Sequence, residues 1–183
     1  MFRKLAIAVA TAALAGIVAP ALAGSAISSL SVTANVAQNC AISTSAVAFG
    51  AYDPVLTHGS AGIDLNGTGA VSVTCTKNST GVNITLGLGS NASGSVRRLL
   101  GGTSSELLTY SLYHASATTP AAVCGFPGTT VWGTAGAGIF TPTGISGWGA
   151  NSAKSFNVCG TIPKAQDVSA DSYTDTVVAT VNF

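Results

Sequence analysis

Apolar and polar positions alternate along much of this chain with the period of a strand, and no stretch carries a helical stripe. The first clear case is Leu30-Ser31-Val32-Thr33-Ala34-Asn35-Val36. There Leu30, Val32, Ala34 and Val36 point one way and Ser31, Thr33 and Asn35 the other. Similar runs predict strands at Val71-Ser72-Val73-Thr74-Cys75, Val82-Asn83-Ile84-Thr85-Leu86 and Leu108-Thr109-Tyr110-Ser111-Leu112. Two more are expected at Phe156-Asn157-Val158-Cys159 and over residues 177–183. Turns rich in Gly, Ser and Asn separate them, as in residues 88–94. Many short strands punctuated in this way predict an all-β fold, a β-sandwich. Residues 115–153, with Pro120, Pro127, Pro142 and many glycines, read as long loops around one or two irregular strands.

In the last stretch Val177, Ala179, Val181 and Phe183 share one face, and Thr176, Val178, Thr180 and Asn182 share the other. The sequence stops at Phe183, so this strand is expected to lack a later neighbour and to leave an apolar edge that has to be covered. A strand added from another chain meets that need, with main-chain hydrogen bonds for affinity and alternate side chains filling pockets. Residues 30–36 lie near a free N-terminus and can complete another copy's sheet. The pattern therefore pairs a donor strand (Leu30, Val32, Ala34, Val36) with an acceptor edge (Val177, Ala179, Val181, Phe183). Burial of Leu30, Val32 and Val36 would contribute about 1.5–3 kcal/mol each.

Ahead of the donor stretch, residues 1–23 have the layout of an export signal. Arg3 and Lys4 precede an apolar, alanine-rich run over residues 5–18, and Pro20 precedes the small-x-small triplet Ala21-Leu22-Ala23. The apolar run is short for a membrane span. The expected organisation is a signal peptide at 1–23, a donor strand at 24–37 and one sandwich domain at 38–183. Cleavage changes the charge. Without Arg3 and Lys4 the seven basic residues fall to five, against six acids, and the formal +1 becomes −1. No basic cluster remains to grip a phosphate backbone, so nucleic acid is not an expected partner. Arg97-Arg98 reads as a solvated turn. Charged residues make up 7% of the sequence, against about 25% in ordinary soluble proteins. Such a surface suits a protein packed against copies of itself, or one coated in Thr, Ser and Asn.

Cys40, Cys75, Cys124 and Cys159 are an even set in an exported chain, so two disulfides are expected. Three pairings are possible. Cys40–Cys75 with Cys124–Cys159 is preferred, because sequence neighbours in an antiparallel sandwich tend to be spatial neighbours. No CxxC is present and only His58 and His114 could join a zinc site, so no metal and no cofactor is expected. No nucleophile signature is present either, and the chain is read as no enzyme. His114 continues the apolar phase of its strand, and His58 in Thr-His-Gly-Ser is expected in solvent. Asp171 and Asp175 read as turn carboxylates that bond nearby backbone N–H groups. Sequons at Asn66, Asn78, Asn83 and Asn91 matter only in a glycosylating pathway.

Several stretches resemble the spore coat protein U domain family, which includes subunits of archaic chaperone–usher pili. They are Val36-Ala37-Gln38-Asn39-Cys40-Ala41-Ile42, Phe49-Gly50-Ala51-Tyr52-Asp53-Pro54, Val71-Ser72-Val73-Thr74-Cys75-Thr76 and Leu108-Thr109-Tyr110-Ser111-Leu112-Tyr113. Gly160-Thr161-Ile162-Pro163-Lys164-Ala165-Gln166-Asp167-Val168 and Tyr173-Thr174-Asp175-Thr176-Val177 complete the set. The resemblance spans residues 30–183. It implies an immunoglobulin-like sandwich lacking its final strand. A periplasmic chaperone lends that strand, and an outer-membrane usher exchanges it for the next pilin subunit's N-terminal strand. The implied destination is the cell surface, as a fimbrium serving adhesion and biofilm formation. Asp171 stands where the family usually has Gly, and a positive-φ turn is expected there. Three other readings are a secreted monomeric sandwich whose N-terminal strand completes its own sheet, a secreted adhesin or carbohydrate-binding module with Trp132, Trp148 and loop tyrosines as stacking platforms, and a coat structural protein. A role as loop-closing core residues is the equal alternative for the two tryptophans.

Overall fold

Nearly all the regular structure in the computed structural model, which describes residues 24–143 and 152–183, is strand. The strands are β1 (Cys40–Ala48), β2 (Leu65–Cys75), β3 (Asn83–Leu86), β4 (Arg97–Gly101), β5 (Leu107–His114), β6 (Lys154–Ile162), β7 (Tyr173–Thr174) and β8 (Ala179–Asn182). One sheet has six strands in the order β1-β2-β6-β5-β4-β7, and the second pairs β3 with β8. Each ladder is antiparallel. The fold is all-β, as the alternation implies.

The alternate residues that pattern the sequence meet between the sheets. Val71 and Val73 of β2, Leu108, Tyr110 and Leu112 of β5, and Phe156 and Val158 of β6 face Ile84 and Leu86 of β3. Trp132, wholly buried, and Phe140 close one end of this core, with ring centroids 4.9 Å apart. The indole N–H donates to Ile84 O at 3.0 Å. Residues 115–143, expected to contain irregular strands, make only isolated bridges (Ile84 with Phe140, Tyr113 with Val131) and the short turn Gly136–Gly138. The disulfides join Cys40 to Cys75 and Cys124 to Cys159.

Three expectations need correction, and one open alternative is decided. Arg97 and Arg98 do not form a solvated turn: they begin β4, and Arg97 is 3% exposed. His58 is buried, not solvated; its ring stacks on Tyr52 and its Nδ1 lies 2.9 Å from Ile63 O. Of the two roles open to Trp132, the core role holds, and the enclosed ring cannot stack on a sugar; Trp148 lies outside the described residues. Asp171 does not take positive φ. Left-handed non-glycine residues in the adjoining segments are Ser105 and Ala165, with φ of 60° and 62°.

The chain divides into two units, with the boundary after Asn35. In the first, described from Gly24 onward, no residue belongs to a ladder, and Leu30 and Val32 are fully in solvent. Val36 opens the second unit and is likewise exposed.

β1 departs from regular pairing between Ser45 and Ala48, where its register on β2 shifts. This bulge turns Val47 and Phe49 over the glycines of the neighbouring strands. A Cβ on Gly160 would lie 2.6 Å from Phe49 Cζ and 2.7 Å from Val47 Cγ1. Gly160→Ala should therefore push Phe49 off the sheet and destabilise the fold by roughly 1–3 kcal/mol, read as a lower urea midpoint.

Candidate functional site

Among the described residues neither β1 nor β8 has a strand partner on its outer edge: β1 pairs with β2 alone, and β8 with β3 alone. The two edges flank one cleft of about 210 Å³. Thr44, Ser45, Ala46 and Val47 of β1 make one wall, and Val177 and Ala179 make the other. Its floor is the apolar core itself, through Val71, Leu86, Leu112 and Val158. Unpaired backbone groups thus line a trough whose base is hydrocarbon, the two surfaces an added strand satisfies together.

Of the four residues expected at the acceptor edge, Val177 and Ala179 line the cleft. Val181 packs against the core further along β8. Phe183 follows β8 and is half exposed. The residues expected to form the donor strand carry no strand pairing, and Leu30, Val32 and Val36 are all at least 80% exposed.

Polar pillars hold the two sheets around this cleft. Arg97 of β4 reaches across the sandwich, where its guanidinium donates to Leu86 O at 3.2 Å, Gly87 O at 2.7 Å and Trp132 O at 2.6 Å. A buried cation is tolerable only when so fully bonded. Burial lowers its pKa, opposed by the nearby Tyr110 and Asp175. Asp175, at the cleft's end, accepts Tyr110 O–H at 2.7 Å. Its other oxygen accepts the backbone N–H groups of Ser90 and Asn91 at 2.9 and 3.2 Å. Burial, then the Asp175 bond, drives the Tyr110 phenol well above its usual range. A Cβ on Gly89, whose φ is +95°, would strike the Asp175 carboxylate. The turn chemistry expected of Asp175 is present, but most of its partners lie some 85 residues away in sequence.

A second cleft of about 850 Å³ continues from the first, sharing Val47, Phe49 and Leu99. Residues 168–173 and the 47–55 segment line it. Here Tyr52 O–H donates to Pro163 O, and its oxygen accepts Gln166 N–H, both at 3.0 Å, which ties the 49–64 loop to the segment after β6. Neither histidine lines either cleft. At the opposite end, the root of the N-terminal segment is clamped. Gln38 Nε2 donates to Thr80 O at 3.0 Å, Thr76 N–H to Asn39 O at 2.8 Å, and Asn39 N–H to Thr76 Oγ1 at 3.0 Å.

The family profile described as the Spore Coat Protein U domain matches residues 26–180. The chain belongs to the Spore Coat Protein U domain family. It is 39% identical over 192 aligned residues to Protein U of Myxococcus xanthus, covering 98% of each chain. A solved structure with some likeness is the CsuC–CsuE chaperone–tip adhesion subunit pre-assembly complex from the archaic chaperone-usher Csu pili of Acinetobacter baumannii. The TM-score is 0.48 with 20% identity, and the match covers 81% of this chain but 40% of that one.

The carboxylate of Asp171, on the second cleft, accepts N–H groups of Thr103 and Ser104 at 2.8 and 2.7 Å and of its neighbour Ser172. The backbone N–H bonds, Ser104 first, hold its pKa down from 3.8 to about 2. A depressed folded-state pKa means that the ionised form stabilises the fold. That contribution is present above 3.8 and fades as pH falls toward 2. Asp171→Asn should lower the urea midpoint at pH 7 and leave a shallower fall between pH 4 and pH 2, measured by parallel denaturation of both chains.

Proposed function

We propose that this chain is a structural subunit that polymerises by donor-strand complementation. One subunit's Leu30, Val32, Ala34 and Val36 fill the cleft between β1 and β8 of the next. The observation that carries the reading is the pair of strand edges, each paired on one side, that flank a cleft with an apolar floor. The alternating, solvent-exposed segment at residues 30–36 supplies a matching strand. Each half alone is an aggregation hazard; together they are a joint.

An open cleft of this kind needs cover before assembly. A periplasmic chaperone that lends a strand would supply it, and an outer-membrane usher would exchange that strand for the next subunit's. Membership of the Spore Coat Protein U domain family supports this route. On this reading residues 1–23 are the export signal, residues 24–37 the donor and residues 38–183 the acceptor body. The product is a surface fibre, and adhesion and biofilm formation follow from what the fibre holds. A coat layer built through the same joint is the second reading, favoured by the family's name and by the full-length similarity to Protein U. Electron microscopy of the assembled protein separates thin fibres from a continuous layer.

Val32→Asp tests the joint directly. An unpaired carboxylate in an apolar cleft costs several kcal/mol, so the variant should fold and remain unassembled. The wild-type chain should run as a ladder in unheated SDS gels that collapses to one band on boiling. A ladder from the variant identical to wild type would sink the donor assignment.

A further inference from the structure

The few charges of this chain are sorted by position along the strands. β2 runs from Leu65, opposite Ile162, to Cys75, opposite Cys40, and Val73 lies opposite Lys154. These registers define two ends of the body. At the Leu65 end lie the loop before β2, the segment between β6 and β7, and the turn between β4 and β5, since Leu100 pairs with Leu107 and with Thr174. Those loops carry Asp53, Asp64, Glu106, Asp167 and Asp171, five of the six acids in the sequence, with Lys164 as the one base. At the Cys75 end lie Lys77 in the β2–β3 turn and Lys154 at the start of β6, with no acidic side chain.

The donor segment leaves its own body at the basic end. Only Ala37 separates Val36 from the clamped Gln38, a span of about 7 Å. A subunit whose Val36 sits in a neighbour's cleft therefore has its own basic end held against that neighbour. Which end it meets depends on strand direction. β8 runs toward the basic end, because Asn182 pairs with Asn83 just after the clamp turn. A donor antiparallel to β8 thus emerges at the acidic end, beside the second cleft. A parallel donor would emerge at the basic end and set lysine against lysine.

We propose that the acidic end of one subunit and the basic end of the next form a head-to-tail junction. This junction fixes donor direction and speeds donor insertion. The occupant of the second cleft's rim is accordingly a second copy of this chain, presenting Lys77 and Lys154. The proposal rests on the donor-strand reading above and adds a second contact to it. Rim charges of this type act on association rate and salt dependence more than on final affinity. Asp53, Glu106 and Asp171 are suited to the role: backbone N–H bonding lowers the pKa of each, while Glu106 is exposed and Asp53 and Asp171 are half-buried at the surface.

The test is the rate at which the full chain forms its heat-dissociable ladder. Lys77→Glu/Lys154→Glu should slow it about tenfold near 20 mM salt, and the difference should vanish near 0.5 M, where screening acts within a few ångströms. Arg98→Glu is the control: Arg98 pairs with Thr109, toward the acidic end, so this reversal adds negative charge there and sets no like charges together. It should be no slower than wild type at either salt. A double variant that assembles at the wild-type rate, or that is slowed equally at both salts, overturns the junction and leaves strand exchange standing. So does an Arg98→Glu chain slowed as much as the double variant. An unaltered chain that forms no ladder refutes strand exchange itself, and the junction with it.

Discussion

Backbone hydrogen bonding at a sheet edge is the constraint on which the rest of this structure turns. A sandwich normally closes its edges, shortens them or blunts them with charge and bulges. Here β1 and β8 each pair on one side only, and the edges they leave border the same strip of core. The bulge in β1 does not hide that edge. It tips Val47 and Phe49 onto Gly160 and Gly67, so that the end of the strand wraps the sheet while Thr44, Ser45 and Ala46 still wall the cleft. Anything added over this strip would have to be strand-like and apolar on alternate positions. Few other shapes meet both demands.

A cleft over a core tends to collapse, and here polar bonds running between the sheets resist it. Arg97 spans from β4 to the carbonyls at the end of β3 and at Trp132. Asp175 ties Tyr110 of β5 to the turn after β3. Such groups are costly to bury and directional once bonded. They set the distance between the sheets where hydrophobic contact alone would close it. The conformational restriction at Gly89 belongs to the same arrangement, since any side chain there would displace the Asp175 carboxylate.

The parts of this fold legible in the sequence are those where local pattern and tertiary role coincide. β3, β5 and the second half of β2 bury every second residue, and β6 does so at Phe156 and Val158 before both of its faces are covered, so their alternation announces them. The alternation of residues 177–181 also survives in the burial of Val177, Ala179 and Val181. β1 was hidden because Cys-Ala-Ile-Ser-Thr-Ser-Ala-Val-Ala is small-sided and bulged, and much of it is exposed. β4 was hidden because Arg-Arg reads as solvent, while the partners that satisfy Arg97 come from residues 10 to 35 positions away. His58 and Trp132 fail for the same reason. A stacking Tyr52 or an accepting Ile84 carbonyl leaves no mark on the neighbouring sequence.

The scarcity of charge then acquires a structural meaning. Lysine on an edge strand is a common defence against strand addition. Neither the Cys40–Ala48 nor the Ala179–Asn182 strand carries a charged residue, and residues 24–37 carry none either. Charge is thus absent from the surfaces that would pair and concentrated in the loops at their ends. A monomer under pressure only to remain soluble would place charge where unwanted pairing is easiest. This chain does the reverse, which fits selection for one particular pairing.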